Sequence, residues 1–398
     1  MLRTALGASI GWLGISMIAD GVPTLLLPHR LVSDGRSDAT TLGLTTLVAI
    51  ALAAALQPAA GRWSDRIGRF PVIAVGSAGA VAGLALLLLP GMGVAGTVLA
   101  LAGVSLAQAG HQALLPDRVS SAWRGRAGGM KSALDVGGAF LGFVVLAALL
   151  GAGQPALAVA ALAAVLVGSF VAARALLGRH AGRAPSTAPL GAAYLVDLAA
   201  HRPLVTLVLA RFLFLLGIYV VGRFLFLFVV ERLGVGAAAA AEAAGMALAL
   251  LAGVTVLASL PSGWLADRLG RRPVMLAGGL LAAVGIALLP LATDTMAVLA
   301  FGSLMALGSA AFGAGSWAML ADLVEPTDAG RQLGLAHVGT AVAAALAGAF
   351  GAIVDASGFG LTFALAAACS LAGGIVAWGL ADAERSSDPL ARSAGGTA

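Results

Sequence analysis

The sequence predicts an all-α polytopic membrane protein with twelve transmembrane helices arranged as two six-helix bundles. Of its 398 residues, 60% are hydrophobic and only 10% are charged, whereas about a quarter of the residues of a soluble domain are charged. A membrane-spanning helix needs about 20 apolar residues, and this chain has length enough for twelve such helices with short loops. The composition excludes a soluble enzyme.

Each helix is assigned to an apolar run bounded by charged or by glycine- and proline-containing segments. The first six are predicted at 5–28, 40–60, 71–90, 94–115, 131–150 and 156–177. The second six are predicted at 203–230, 238–261, 273–291, 296–319, 333–354 and 359–381. The chain therefore divides into an N-terminal bundle over 1–177, a linker over 178–202, a C-terminal bundle over 203–382 and a tail over 383–398.

The basic residues indicate the orientation of these helices. Most of the 23 lie in loops on one side of the predicted bundle, and cytoplasmic loops are the ones that collect Lys and Arg. We therefore expect a protein of the cell membrane with both termini in the cytoplasm. We interpret the net charge of +5 as a topology signal rather than a nucleic-acid surface. The single Cys369 has no partner for a disulfide, and one thiol makes no metal framework. We expect no metal and no cofactor.

Two motifs occur twice along the chain. GRWSDRIGRFPV at 61–72 recurs as GWLADRLGRRPV at 263–274, with seven of twelve positions identical. A second pair aligns Asp117 with Asp322 and Arg126 with Arg331. Both pairs are predicted in loops on the same side of the membrane, so the two halves are duplicated and related by an axis along the membrane normal.

The repeated loop Gly-x-x-x-Asp-Arg-x-Gly-Arg resembles the signature loop of the major facilitator superfamily of transporters. The resemblance covers essentially the whole chain in helix count, repeat and topology. It implies the fold of that family, in which two six-helix bundles related by pseudo-twofold symmetry rock around a central cavity. It also implies a protein that is not an enzyme, whose partners are a small-molecule substrate and the lipid bilayer. We expect it to function as a monomer.

The charges of the repeated loops are predicted to form a cytoplasmic gate that favours the outward-facing state. A carboxylate at a helix end can pair with an arginine or face the positive end of a neighbouring helix. In the alternative, which we prefer for Arg62, Arg124 and Arg272, the charges only set topology. Tight turns and close helix approach are expected at Gly61, Gly68, Gly263 and Gly270. The predicted gate residues are Asp65, Arg66, Gly68, Arg69, Asp117, Arg126, Asp267, Arg268, Gly270, Arg271, Asp322 and Arg331.

Ionisable residues inside spanning helices are costly and usually face a cavity or a partner. Asp20 is the best candidate for a proton-titrating or cation-binding carboxylate, and a carboxylate that merely meets water at the outer mouth is the alternative. Asp135, four residues into the fifth predicted helix, suits the cytoplasmic mouth. Arg211 and Arg223 are about 18 Å apart along the seventh helix and about 120° around it, so they cannot serve one site. We favour Arg211 for the cavity, with a structural ion pair as the alternative.

Three polar residues of the fourth helix form a further candidate group. Gln108, His111 and Gln112 stand at i, i+3 and i+4 and so share a helix face. His111 could titrate near neutral pH, although a hydrogen-bonded structural histidine is the alternative. Tyr219 is a weaker candidate for the lining of the cavity.

The predicted function is secondary active transport of a small organic solute by alternating access. The proton gradient is the candidate driving force, and we lean slightly to efflux of amphipathic compounds, because a chain with no Asn and two Tyr has few groups that bind a sugar. An importer of an organic anion or other metabolite, using Arg211, is the alternative. A non-transporting membrane sensor or enzyme is a remote one.

Overall fold

A computed structural model of the protein describes residues 1–36, 38–120, 124–178, 202–323 and 329–380. The predicted tail over 383–398 and nearly all of the predicted linker over 178–202 lie outside these ranges. Within them the regular elements are helices. The described part of the N-terminal half forms six long helices: α1 Leu2–Ser33, α2 Ala39–Ile67, α3 Arg69–Leu86, α4 Gly93–Arg118, α5 Arg124–Gly151 and α6 Pro155–Leu177.

The described part of the C-terminal half also forms six long helices. The last two of them, α11 and α12, follow each other without a loop. Gly358, with φ 76° and ψ 176°, interrupts the final helical segment and divides them. The bounds are α7 Arg202–Leu233, α8 Ala237–Leu269, α9 Arg271–Leu288, α10 Thr295–Leu323, α11 329–357 and α12 359–378.

Gly358 turns the chain between two membrane spans. The apolar segment Val338–Trp378 has 41 residues, and a straight helix of that length would measure about 61 Å. This is about twice the 30 Å of a hydrocarbon core. The eleven apolar segments of the described chain that are long enough to cross a membrane therefore correspond to twelve spans.

The helices extend past the apolar runs that predict them. α2 continues to Ile67 rather than 60, α8 continues to Leu269 rather than 261, and α5 begins at Arg124 rather than 131. Backbone hydrogen bonds form in a helix whether its side chains are polar or apolar. A helix therefore continues through polar residues until one residue ends the hydrogen-bonding pattern. The apolar runs locate the spans but not the helix ends.

Glycine ends α2 and α8 within the repeated loop. Gly68 and Gly270 have φ values of 99° and 92°, a left-handed conformation that costs glycine little and other residues more. Each forms a one-residue connection to the next helix, which explains why both copies of the loop carry glycine there. The expectation of a tight turn or close approach at Gly61 and Gly263 is wrong, because both lie inside helices with no atom near the missing Cβ.

The two halves contact each other at one end of the molecule. We call the end that carries Gly68 and Gly270 the repeat-loop face, and the other the opposite face. Near the opposite face, a Cβ at Gly43 of α2 would overlap the carbonyl oxygen of Gly348 in α11, and the reverse is also true. α5 meets α8 there, where a Cβ at Gly245 would lie 2.6 Å from the Cβ of Ala147. The backbones of the two halves are thus in close contact at the opposite face.

The same helices separate toward the repeat-loop face. A Cβ at Gly253 in α8 would lie 3.9 Å from the ring of Phe140 in α5. Leu260 lies about two turns further on the same side of α8, and it is 85% exposed. The interface between α5 and α8 therefore ends midway, and the space between the halves opens toward the repeat-loop face.

Candidate functional site

A cavity of about 310 Å³ lies between the two halves. Its walls come from α1, α2 and α4 of the first half and from α7 and α11 of the second. The wall is largely apolar, with polar groups at a few positions. The polar lining residues are Asp20, Thr24, Gln57, Ser105, Gln108, Gln112, Tyr219, Arg223 and Thr340.

Asp20 lies on the cavity wall near the middle of α1. Directly after it the helix becomes π-helical over Val22–Leu26, where Pro23 has no N–H to donate. The hydroxyl of Thr24 donates to the carbonyl oxygen of Asp20, and both Pro23 and Thr24 line the cavity. π-Helical turns occur frequently at functional sites, so the backbone irregularity and the carboxylate mark the same place.

Arg223 of α7 faces the cavity from the other half. It is 4% exposed, and its Nε and Nη1 atoms are buried without a hydrogen-bond partner in the described part of the chain. Asp20 and Arg223 are near enough to interact electrostatically, but they form no ion pair within 4.0 Å. Tyr219 lies one turn before Arg223 on the same wall.

The preference for Arg211 at the cavity is not what the structure shows. Arg211 is buried within the second half, where its Nη1 donates to the Oγ of Ser316 at 2.6 Å and its guanidinium lies 4.4 Å from the ring centroid of Trp317. Since Arg211 and Arg223 point about 120° apart on α7, packing of Arg211 against α10 leaves Arg223 at the cavity.

The polar residues of α4 divide between two surroundings. Gln108 and Gln112 line the cavity, and the Nε2 of Gln57 donates to the Oε1 of Gln108 at 3.2 Å. His111 does not share that face: it is 2% exposed and fills the space that a Cβ at Gly11 would occupy. Adjacent helical residues project 100° apart, so His111 packs against α1 while Gln112 faces the cavity.

Asp135 belongs to a polar network between α1 and α5. It lies eleven residues into α5, because that helix begins at Arg124, so its expected place four residues from the helix start is wrong. Its Oδ1 accepts from the hydroxyl of Ser16, and its Oδ2 lies 2.6 Å from the Nζ of Lys131. That ammonium also lies 3.7 Å from the ring centroid of Trp12. The network joins two helices of one half.

The charges of the first repeated loop pair inside their own half. Arg69 of α3 donates from Nε to Asp117 of α4 at 2.9 Å and from Nη1 to Ser64 of α2 at 2.6 Å. It also forms an ion pair with Asp65, whereas Arg66 is exposed. In this conformation the predicted gate residues Asp65, Arg69 and Asp117 therefore hold α2, α3 and α4 together. Their pairing across the halves stays a prediction.

The second repeated loop is arranged differently. Arg271 donates from Nη1 to the carbonyl oxygen of Ala318 in α10 at 3.1 Å. Arg268 lies 4.0 Å from the ring centroid of Trp264, and Asp267 is exposed. The side chains of three remaining predicted gate residues, Arg126, Asp322 and Arg331, lie outside those the structure describes.

Sequence reasoning did not single out the π-helical turn or the role of Lys131. A proline three residues after an intramembrane carboxylate would have indicated the first. A lysine four residues before Asp135 on a predicted helix is the spacing of a helical ion pair and would have indicated the second. Both signals are local and were present in the sequence.

Comparison with known proteins gives one family and one fold. The family model described as the Major Facilitator Superfamily matches residues 6–255 and 238–397. A bacterial homologue of the human lysosomal transporter Spinster, inward-facing and unoccupied, has a TM-score of 0.69 and 16% identity over 94% of each chain. No curated protein matches the chain significantly.

Two further solved structures have similarly low identity. A D-xylose-proton symporter has a TM-score of 0.70 and 16% identity over 95% of this chain and 97% of its own. A nucleoside transporter has a TM-score of 0.71 and 13% identity over 96% of this chain and 99% of its own. These likenesses show the fold, and the match to the family model covers nearly the whole sequence. The chain therefore belongs to the major facilitator superfamily, and it is a multi-pass membrane transporter rather than an enzyme.

Proposed function

We propose that the protein is a secondary active transporter that moves a small amphipathic organic solute by alternating access, driven by the proton gradient. The observation that carries the proposal is the cavity between the halves, with Asp20 on one side and Arg223 on the other. Charges are rare inside spanning helices and usually mark a substrate or ion pathway. Asp20 and Arg223 lie at the boundary between the halves, where a bound solute would contact both halves.

The contacts between the halves support alternating access. The halves touch at the opposite face through Gly43, Gly348 and Gly245, and they diverge toward the repeat-loop face. With the repeat-loop face in the cytoplasm, as its arginines predict, this conformation is open to the inside. Rocking of one half against the other would close the repeat-loop face around the same cavity.

The lining of the cavity supports an amphipathic solute. Its volume of about 310 Å³ is at the lower end of the range for small-molecule pockets. Its lining includes Ile50, Leu101 and Val104 together with three glutamines. A solute with an apolar body and a few polar groups would match both kinds of contact.

Asp20 supports proton coupling. It is accessible from the cavity, and the charged groups that act on it are Asp135, itself paired with Lys131, and Arg223. A carboxylate between the halves changes the net charge of the cavity when it binds a proton. Because net charge is costly in a closed cavity, the proton would bias which conformation is stable.

Reconstitution in liposomes with an imposed proton gradient tests the proposal. Purified protein is screened against pools of radiolabelled organic solutes, with Asp20→Asn as the test variant and Asp34→Asn as the matched control. Asp34 ends the same helix and pairs with Arg30 outside the cavity. We expect gradient-driven transport by the wild type and the control, and only gradient-independent exchange by Asp20→Asn. Coupled transport that survives in Asp20→Asn would remove Asp20 from the mechanism.

A further inference from the structure

We propose that the solute is an organic monocarboxylate whose carboxylate binds Arg223 and whose apolar body lies against α2 and α4. This inference rests on the proposed transport function and names the substrate class of the same cavity. Its basis is the unmatched donor set of one buried arginine.

The guanidinium of Arg223 lacks partners that a buried arginine ordinarily has. A guanidinium carries five N–H donors, and unsatisfied buried donors are costly. Yet Nε and Nη1 of Arg223 are buried without an acceptor in the described part of the chain. Arg211 on the same helix has an unpaired buried Nε as well, but its Nη1 donates to Ser316 and its guanidinium stacks on Trp317. Among the described residues, Arg223 is thus a cationic group at the cavity wall with two buried donor atoms that have no protein acceptor.

The charges around Arg223 favour a monoanion. Asp20 is the carboxylate across the cavity, and it forms no ion pair with Arg223. Asp135 is already engaged by Lys131 and Ser16. In the described part of the chain, Arg223 is the cationic side chain that lines this cavity. One guanidinium pairs well with one carboxylate, whereas a doubly charged phosphate would leave excess negative charge beside Asp20.

The remaining walls define the rest of the ligand. Ile50 of α2 and Leu101 and Val104 of α4 face the cavity from the first half, whereas Arg223 faces it from the second. A solute bound at both places would bridge the halves. Closure around it would then bury its apolar body, which is favourable, and its carboxylate would neutralise Arg223.

Equilibrium binding to the purified full-length protein tests this inference independently of transport. The probes are butanoate, 3-phenylpropanoate and 1-naphthoate, each compared with its primary amide and with the amine of the same skeleton by isothermal titration calorimetry. We expect at least one carboxylate to bind roughly tenfold or more tightly than its amide, as expected for hydrogen bonds to a charged group.

Variants with opposite expected effects sharpen the test. Arg223→Gln should abolish the preference for the carboxylate over the amide, and Arg223→Lys should retain part of it. Asp20→Asn should raise carboxylate affinity severalfold, because it removes the negative charge that opposes the ligand. Arg232→Gln is the matched control, since Arg232 is exposed on the same helix and donates to the carbonyl oxygen of Ala292. It should bind like the wild type.

The inference is overturned if no carboxylate binds, if amides or amines bind as tightly, or if Arg223→Gln keeps the preference. Proton-coupled transport of a neutral solute together with such a result would reject the carboxylate and leave the transport function standing. Carboxylate binding without any transport in liposomes would reject the transport function instead.

Discussion

Arg69 is the residue on which the ends of three helices depend. It contacts Asp65 and Ser64 at the end of α2 and Asp117 near the end of α4. The Asp117 side chain is only 8% exposed, so its charge depends on this partner. Removing one member of a buried ion pair is more damaging than removing both, because the other charge is left uncompensated.

Arg69→Gln should therefore destabilise the protein by about 2–3 kcal/mol, less than the loss of a fully buried pair because Asp65 is partly exposed. Thermal unfolding in detergent measures the effect. Arg66→Gln removes an exposed arginine of the same loop and should change little. Adding Asp117→Asn to Arg69→Gln should restore part of the loss. An Arg69→Gln protein as stable as Arg66→Gln would contradict the role of Arg69.

Single residues also show what sequence could and could not predict of the site. Asp20, Gln108, Gln112 and Tyr219 line the cavity, and each is recognisable as a polar residue in an apolar run. The choice between the two arginines of α7 was not predictable in this way. It depends on the rotation of the helix, which is set by contacts such as that of Arg211 with Ser316 across 105 positions of sequence.

At the scale of elements, the first turn of α2 joins the two halves. Asp38 of the first half accepts from the backbone N–H of Thr41 at 2.9 Å. Hydrogen bonding with the side chain of Thr41, and then with its backbone N–H, holds the pKa of Asp38 below its usual range. Asp355 of α11 accepts from the N–H groups of Ala39 at 2.9 Å and Thr40 at 2.7 Å. A carboxylate from each half thus caps one helix terminus, but only Asp355 crosses the interface.

Asp355→Asn should weaken the closed opposite face, because the amide loses the charge and one acceptor oxygen. Two charge-assisted hydrogen bonds are at stake, so we expect a roughly tenfold shift toward the state open at that face. In protein lacking Cys369, the measurement is labelling of Ala344→Cys in the cavity by an impermeant maleimide added at the opposite face. Asp38→Asn is the control, and equal labelling rates in the two variants would exclude this role of Asp355 at the opposite face.

The elements were predictable in number and order but not in their ends. The twelve predicted apolar runs correspond to the twelve long helices of the described ranges, because each span must bury an apolar surface and satisfy its own backbone. The ends depend instead on breakers such as Gly68 and Gly270, and the boundary between α11 and α12 depends on Gly358 alone. The distance between Asp355 and α2 in sequence, 316 positions, explains why that contact had no local signal.

At the scale of the whole molecule, the proposed alternating access requires the two halves to rock about the cavity. The opposite face is closed by backbone contacts at Gly43 and Gly348 that leave no room for a side chain. Glycine at such a crossing permits close approach and adds no side chain that must be moved on opening. A larger residue there should force the halves apart at the opposite face without touching the cavity lining.

The most direct test of alternating access is therefore to measure distances between spin labels by double electron–electron resonance, in the wild type and in Gly43→Leu, in lipid nanodiscs. One spin-label pair, at Ile67 and Leu269, reports the repeat-loop face, and a second pair, at Gln154 and Gly236, reports the opposite face. Alternating access predicts that Gly43→Leu shortens the first distance and lengthens the second, both by several Å in the same sample. Both distances unchanged, or both moving in the same direction, in a monodisperse protein would contradict it.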